Sequence, residues 1–133
     1  MMHKFLQNKL WRDKAPDMMR KTGSIIHTTI LDDDEYEHQL KVKLAEECAE
    51  VNAARSNKEL LEELADVYEV IDALCALHNI AIEDVRTLQV KKRNERGGFY
   101  ERNYVTIAEH AAGSYGEEYC RAQSDKYPEI LYE

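Results

Sequence analysis

From residue 35 to residue 96, apolar side chains recur every three to four positions with charged residues between them, the period of helices that bury one face. The run "DDDEYEHQLKVKLAEECAEVNAA" opens on aspartates suited to an N-cap and carries Leu40, Leu44, Cys48 and Val51 as one stripe, which predicts a helix of about five turns with Cys48 in the core. In "RSNKE", Ser56 with Glu59 three residues on forms a capping-box pattern, and Leu60, Leu64, Val67, Ile71, Leu74 and Leu77 mark a second long helix. A third pattern runs from Glu83 to Arg96 and stops at Gly97 and Gly98. Ahead of these, residues 4–10 and 24–31 alternate or are β-branched and predict strands or extended arms, with a small helix between Pro16 and Gly23. Beyond residue 98, "NYVTI" predicts a further short strand and the Gly-Ser-Tyr-Gly turn at 113–116 interrupts any long helix.

The expected architecture is therefore mainly α. It consists of an antiparallel helical hairpin plus a third helix, forming a four-helix-type core on dimerisation, with short peripheral strands. At 133 residues one domain is expected, comprising an N-terminal arm over 1–34, a helical core over 35–96 and a C-terminal extension over 99–133. A hairpin and one further helix cover their apolar stripes poorly alone, so a homodimer or higher homo-oligomer is expected.

Within this pattern two acidic words stand out, Glu46-Glu47-Cys48-Ala49-Glu50 and Glu62-Glu63-Leu64-Ala65-Asp66. Like charges at helical spacing cost a few tenths of a kcal/mol each, and acidic runs are commonly solvated faces. Counting outward from the break between Ser56 and Asn57 favours another explanation. Glu50 and Glu63 lie six to seven positions from that break, and Glu47 and Asp66 nine to ten, so in an antiparallel hairpin they pair at matching heights about 10 to 14 Å from the turn. Each helix then offers two carboxylates, i and i+3, to one cleft. Four hard oxygen donors, Glu47, Glu50, Glu63 and Asp66, select a hard cation: Mg²⁺, with Mn²⁺ also suited. A di-iron bundle needs Glu-x-x-His, and the one such pair, Glu35 and His38, lies about 13 Å along the helix from Glu47. His27, in a predicted strand, and His78, at a helix end, read as packing or surface residues.

Charge narrows the partners. A net charge of −8 at pH 7 opposes broad contact with nucleic-acid backbone or anionic membrane. Basic residues nevertheless cluster locally: Lys92, Arg93 and Arg96 share faces at the end of the third helix, and Lys9, Arg12 and Lys14 fall in the arm. The first group serves a helix C-terminus by charge, and equally suits phosphate oxygens. No G-x-x-x-x-G-K-[ST] loop is present, which excludes a Walker-type nucleotide site. Three cysteines without a C-x-x-C pair fit a reducing cytoplasm, and the absence of an 18-residue apolar run leaves no membrane span to expect.

The combination of E-E-x-x-E, twelve residues, E-x-x-D, the downstream "KKRNERGGF" and the upstream "NKLWRDKAP" resembles the MazG-like, all-α nucleoside triphosphate pyrophosphohydrolase superfamily over residues 5 to about 104. It is most similar to its phosphoribosyl-ATP pyrophosphohydrolase-like members, with Trp11 and Ala15 in place of the usual aliphatics. The resemblance implies a hairpin that dimerises into a four-helix core, Mg²⁺ on Glu47, Glu50, Glu63 and Asp66, and nucleotide cleavage between the α- and β-phosphates. It implies phosphate contacts from Lys92 and Arg96, and the charge pattern itself adds Arg93, Lys9 and Arg12 as further substrate-binding candidates. Glu46 either orients or deprotonates the attacking water or stands behind the metal ligands. The expected activity is hydrolysis of a nucleoside triphosphate to monophosphate and pyrophosphate, a housekeeping reaction of the nucleotide pool. Phosphoribosyl-ATP hydrolysis, or a non-catalytic helical interaction module, is the alternative.

Overall fold

A computed structural model of the chain describes residues 1–132. Five helices form among the described residues: α1 (Ala15–Arg20), α2 (Asp33–Ala53), α3 (Asn57–Leu77), α4 (Ile82–Arg96) and α5 (Tyr115–Arg121). The mainly-α class holds. The expected strands do not form among the described residues: residues 4–10, 24–31 (with His27, which is exposed) and "NYVTI" have no strand partner and run as irregular chain. The reason lies in pairing, since alternation alone gives a strand nothing to bond to without a second strand alongside. The chain divides into two compact units, Met1–Glu95 and Arg96–Glu133.

In the first unit, local chemistry sets each helix end. The Asp32 side chain accepts the Glu35 N–H at 2.9 Å to begin α2, and Ser56 Oγ accepts the Glu59 N–H at 3.1 Å to begin α3. Glu59 reaches back to the Arg55 N–H at 2.8 Å, one residue earlier than the capping box anticipates. At the far end of α3, Asn79 takes a left-handed φ of 54°, and the Ile80 N–H closes on the Cys75 carbonyl at 2.9 Å. The α1 helix ends similarly at Gly23, whose φ is 97°, with the Ser24 N–H on the Met19 carbonyl at 3.2 Å.

Helices α2 and α3 pack together as the main tertiary contact. Their antiparallel register is fixed by two cross-helix meetings: Glu37 with His78 at the open end, at 2.8 Å, and Glu47 with Glu63 and Asp66 nearer the turn. The buried residues of the hairpin are Leu40, Val70 and Cys75, together with one charged residue, Glu47. At 100° per residue, Glu47 lies about 20° from the direction of Leu40 and Cys48 about 80° away. Cys48 is accordingly exposed, not in the core as its stripe suggests. Leu60 and Leu64 are also exposed, at 36% and 41%, because the hairpin covers only one side of α3. On α4, Arg86 stacks over the Tyr68 ring of α3 at 5.2 Å, while Val85, Leu88 and Val90 stay exposed.

The second unit is organised around α5. Its N-cap Ser114 accepts from the Glu117 N–H at 3.4 Å, so the Gly-Ser-Tyr-Gly turn starts a helix as well as interrupting one. Arg121 forks onto Glu129 at 3.0 and 3.3 Å, and the Tyr119 ring lies 6.0 and 5.9 Å from those of Tyr115 and Tyr127.

Candidate metal centre

Packing α2 on α3 brings Glu47, Glu63 and Asp66 together, one oxygen from each lying within 4.8 Å of the others. In an ideal Mg²⁺ octahedron opposed oxygens are about 4.2 Å and adjacent ones about 3.0 Å apart, so these side chains enclose such an ion only after drawing in by up to about 2 Å. The donor set is all carboxylate, the type that hard cations take, and the three residues fit the expected ion. Glu50, the fourth expected ligand, lies outside this close set and is exposed. It remains a neighbour in charge, for the Glu63 carboxyl is pushed above its ordinary range first by burial and next by Glu50, then by Asp66 and Glu47. Like charges with access to solvent spread apart, which places Glu50 at the rim.

Three cations meet these acids. Lys43 Nζ lies 3.6 Å from Glu47, at i−4 on the same helix. Arg12 contacts Asp66 at 2.5 Å, and Lys9 contacts Glu46 at 2.8 Å. Lys9 holds the Glu46 carboxyl below its ordinary range by that hydrogen bond, making it a weaker base while the pair persists. The Arg12 guanidinium is in turn held above its ordinary value, chiefly by the bond to Asp66. Above the acids lies an open cleft of about 460 Å³, walled by Leu10, Trp11 and Arg12 of the arm and by Lys43, Glu47 and Asp66 of the hairpin.

The arm cations are thus brought to the carboxylates, whereas Lys92, Arg93 and Arg96 are not among the residues that wall this cleft. All three are exposed, and none makes an ion pair among the described residues. Lys43 was not singled out by sequence reasoning, and Trp11 only as a replacement for an aliphatic residue. The spacing of Lys43 four residues before Glu47 carried the signal for the first; nothing local marked Trp11 as a cleft wall. Comparison with family models, with curated proteins and with solved structures gives no match for this chain.

Proposed function

We propose that the chain is a divalent-cation-dependent nucleotide pyrophosphohydrolase, cleaving a nucleoside triphosphate or related nucleotide to monophosphate and pyrophosphate. The observation that carries this reading is the convergence of Glu47, Glu63 and Asp66 from two helices, at heights anticipated by counting from the turn. Glu47, Glu63 and Asp66 would hold Mg²⁺ or Mn²⁺, with Glu50 available at the rim. Bound there, a hard cation neutralises charge on phosphate oxygens and lowers the pKa of water. The chain's own residues supply the remainder. Lys9 and Arg12, at the cleft, bind phosphate oxygens, a task to which the arginine fork is suited. Lys92, Arg93 and Arg96 remain candidates for the same task by their charge and spacing, and Lys92 and Arg96 by the resemblance as well. Glu46, beside Glu47 in the chain, orients the attacking water.

The reading includes a homodimer. The chain leaves 12465 Å² accessible. Two separately folded globules of 95 and 38 residues would together expose about 8,500 Å² by the usual scaling of surface with mass. Leu60, Leu64 and Tyr68 on α3, with Val85 and Leu88 on α4, are apolar candidates for cover by a second copy.

The second reading, a non-catalytic helical module that binds basic partners, is favoured by one observation: a basic segment of the chain itself already sits on the acidic face, through Lys9 and Arg12. A screen of purified protein against standard, deoxy, oxidised and methylated triphosphates and phosphoribosyl-ATP separates the two. The enzyme releases pyrophosphate from at least one of them in Mg²⁺ and loses that activity as Asp66→Asn. The module releases none.

A further inference from the structure

We infer that the segment around Lys9 and Arg12 is a cation-responsive strap: it closes the acidic cleft as a built-in counter-ion and is displaced from Asp66 when a divalent cation binds. This rests on the proposed cation site. Two ion pairs straddle the hairpin, Lys9 to Glu46 on α2 and Arg12 to Asp66 on α3, so the short segment crosses from one helix to the other. It turns at Asn8 and is tied to α1 at its other end. Asn8 takes a left-handed φ of 47° just before it, and the Ala15 N–H bonds the Arg12 carbonyl at 3.0 Å where α1 begins. Between the two cations, Leu10 and Trp11 are half-buried against the cleft.

Asp66 is the point of contention. Its carboxylate belongs to the three-oxygen cluster and also receives the Arg12 guanidinium. A cation drawing Asp66 toward Glu47 and Glu63 must compete with Arg12 for the same group. The contest is uneven, because Arg12 is 59% and Asp66 37% exposed at the side chain, and water screens a pair of that kind. A divalent ion held by three carboxylates interacts with each of them more strongly than one guanidinium does with one. Once displaced, Arg12 is available to phosphate oxygens, so cation binding would precede and prepare substrate binding.

Trp11 is the only tryptophan and lies between the two strap cations, which makes the strap observable in the intact chain. Cation-stripped protein is titrated with Mg²⁺ while acrylamide quenching of Trp11 is followed, and binding is measured independently by calorimetry. The expected result is that quenching rises and saturates with the binding heat. In Arg12→Ala, quenching should be high without Mg²⁺, and Mg²⁺ should bind about 2- to 5-fold tighter, the factor that an exposed ion pair is worth as a competitor. Arg12→Lys should fall between them. If Mg²⁺ binds while Trp11 quenching stays flat and Arg12→Ala gains no affinity, the strap is wrong and the cation site stands. If neither protein binds Mg²⁺, the cation site fails and the strap fails with it. Should Arg12→Ala not fold by circular dichroism, the wild-type titration alone decides, flat quenching on a binding isotherm overturning the strap.

Discussion

Replacing Glu47 by glutamine tests the metal centre through stability. Glu47 is the one buried charged residue of the hairpin, its side chain 10% exposed, and Gln preserves its shape while removing its charge. Without a cation, the change deletes one of three converging negative charges and costs Lys43 its partner at 3.6 Å, opposing effects of a few tenths of a kcal/mol. The melting temperature of stripped protein should therefore stay close to that of wild type. With Mg²⁺ the two proteins separate. At tenfold excess over its dissociation constant, a ligand of the native state alone adds about 1.4 kcal/mol. For a unit spanning Met1–Glu95, an unfolding entropy of about 2.1 cal/mol/K per residue sums to ~0.2 kcal/mol/K, so wild type should gain about 7 °C. Glu47→Gln should gain little or nothing over the same range, as read by differential scanning calorimetry on protein shown to be metal-free beforehand. An equal gain in both proteins would remove Glu47 from the site, and no gain in wild type would refute the site itself. Asp66→Asn provides the same comparison if glutamine at 47 proves disruptive.

Three further outcomes are expected. Lys92→Ala, if its ammonium reaches phosphate, should lower kcat/KM by the equivalent of about 1 to 3 kcal/mol while leaving the Mg²⁺-induced melting shift intact; a helix-end role predicts a small melting change with unaltered kinetics. Leu64→Asp places a charge on the exposed apolar side of α3, and light scattering should show the assembly falling from at least twice 15.5 kDa to the single-chain mass, whereas a wild-type chain already monomeric at micromolar concentration would end the dimer reading. Glu37 is held below its ordinary 4.5 by hydrogen bonds from Lys41 first and His78 second; its folded state releases the proton more readily than the unfolded chain does, so its contribution is present above that value and is lost as pH falls through the depressed one. The stability gap between wild type and Glu37→Gln should accordingly be present at pH 7 and close once acid has protonated the carboxyl, and a gap that survives that protonation would contradict the pairing.

The helices were legible because period and caps agree: Asp32 and Ser56 hold the N-termini their positions suggest, and Gly97 closes α4 with a φ of 84°. The meeting of Glu47 with Asp66 was also legible, since an antiparallel pair preserves height above its turn, and three of the four counted carboxylates converge. Glu50 shows the limit of counting. Height does not fix the angle at which a side chain leaves the helix, and a charge near the rim turns to water. The exposure of Cys48 has the same origin, a drift of about 40° for every four residues that sets it about 80° from Leu40 although both belong to a plausible stripe. Over 4–10 and 24–31 no strand forms and the arm alternative is left, because alternation records a half-buried pattern without recording a partner. The arm cations were legible as candidates, but their partners were not. Nothing within "NKLWRDK" states that Lys9 and Arg12 will each take a different helix of the hairpin, a contact set by the path of the chain through Asn8 and α1.

The most direct test of the proposed chemistry is hydrolysis in ¹⁸O-enriched water, with products resolved by phosphorus NMR and mass spectrometry. With Mg²⁺ and a nucleotide that the protein accepts, attack at the α-phosphorus should place the label in the nucleoside monophosphate, with unlabelled pyrophosphate formed in equal amount and no inorganic phosphate. Asp66→Asn should give neither product. Label in the pyrophosphate, release of inorganic phosphate in its place, or no cleavage of any nucleotide in the panel would contradict the account.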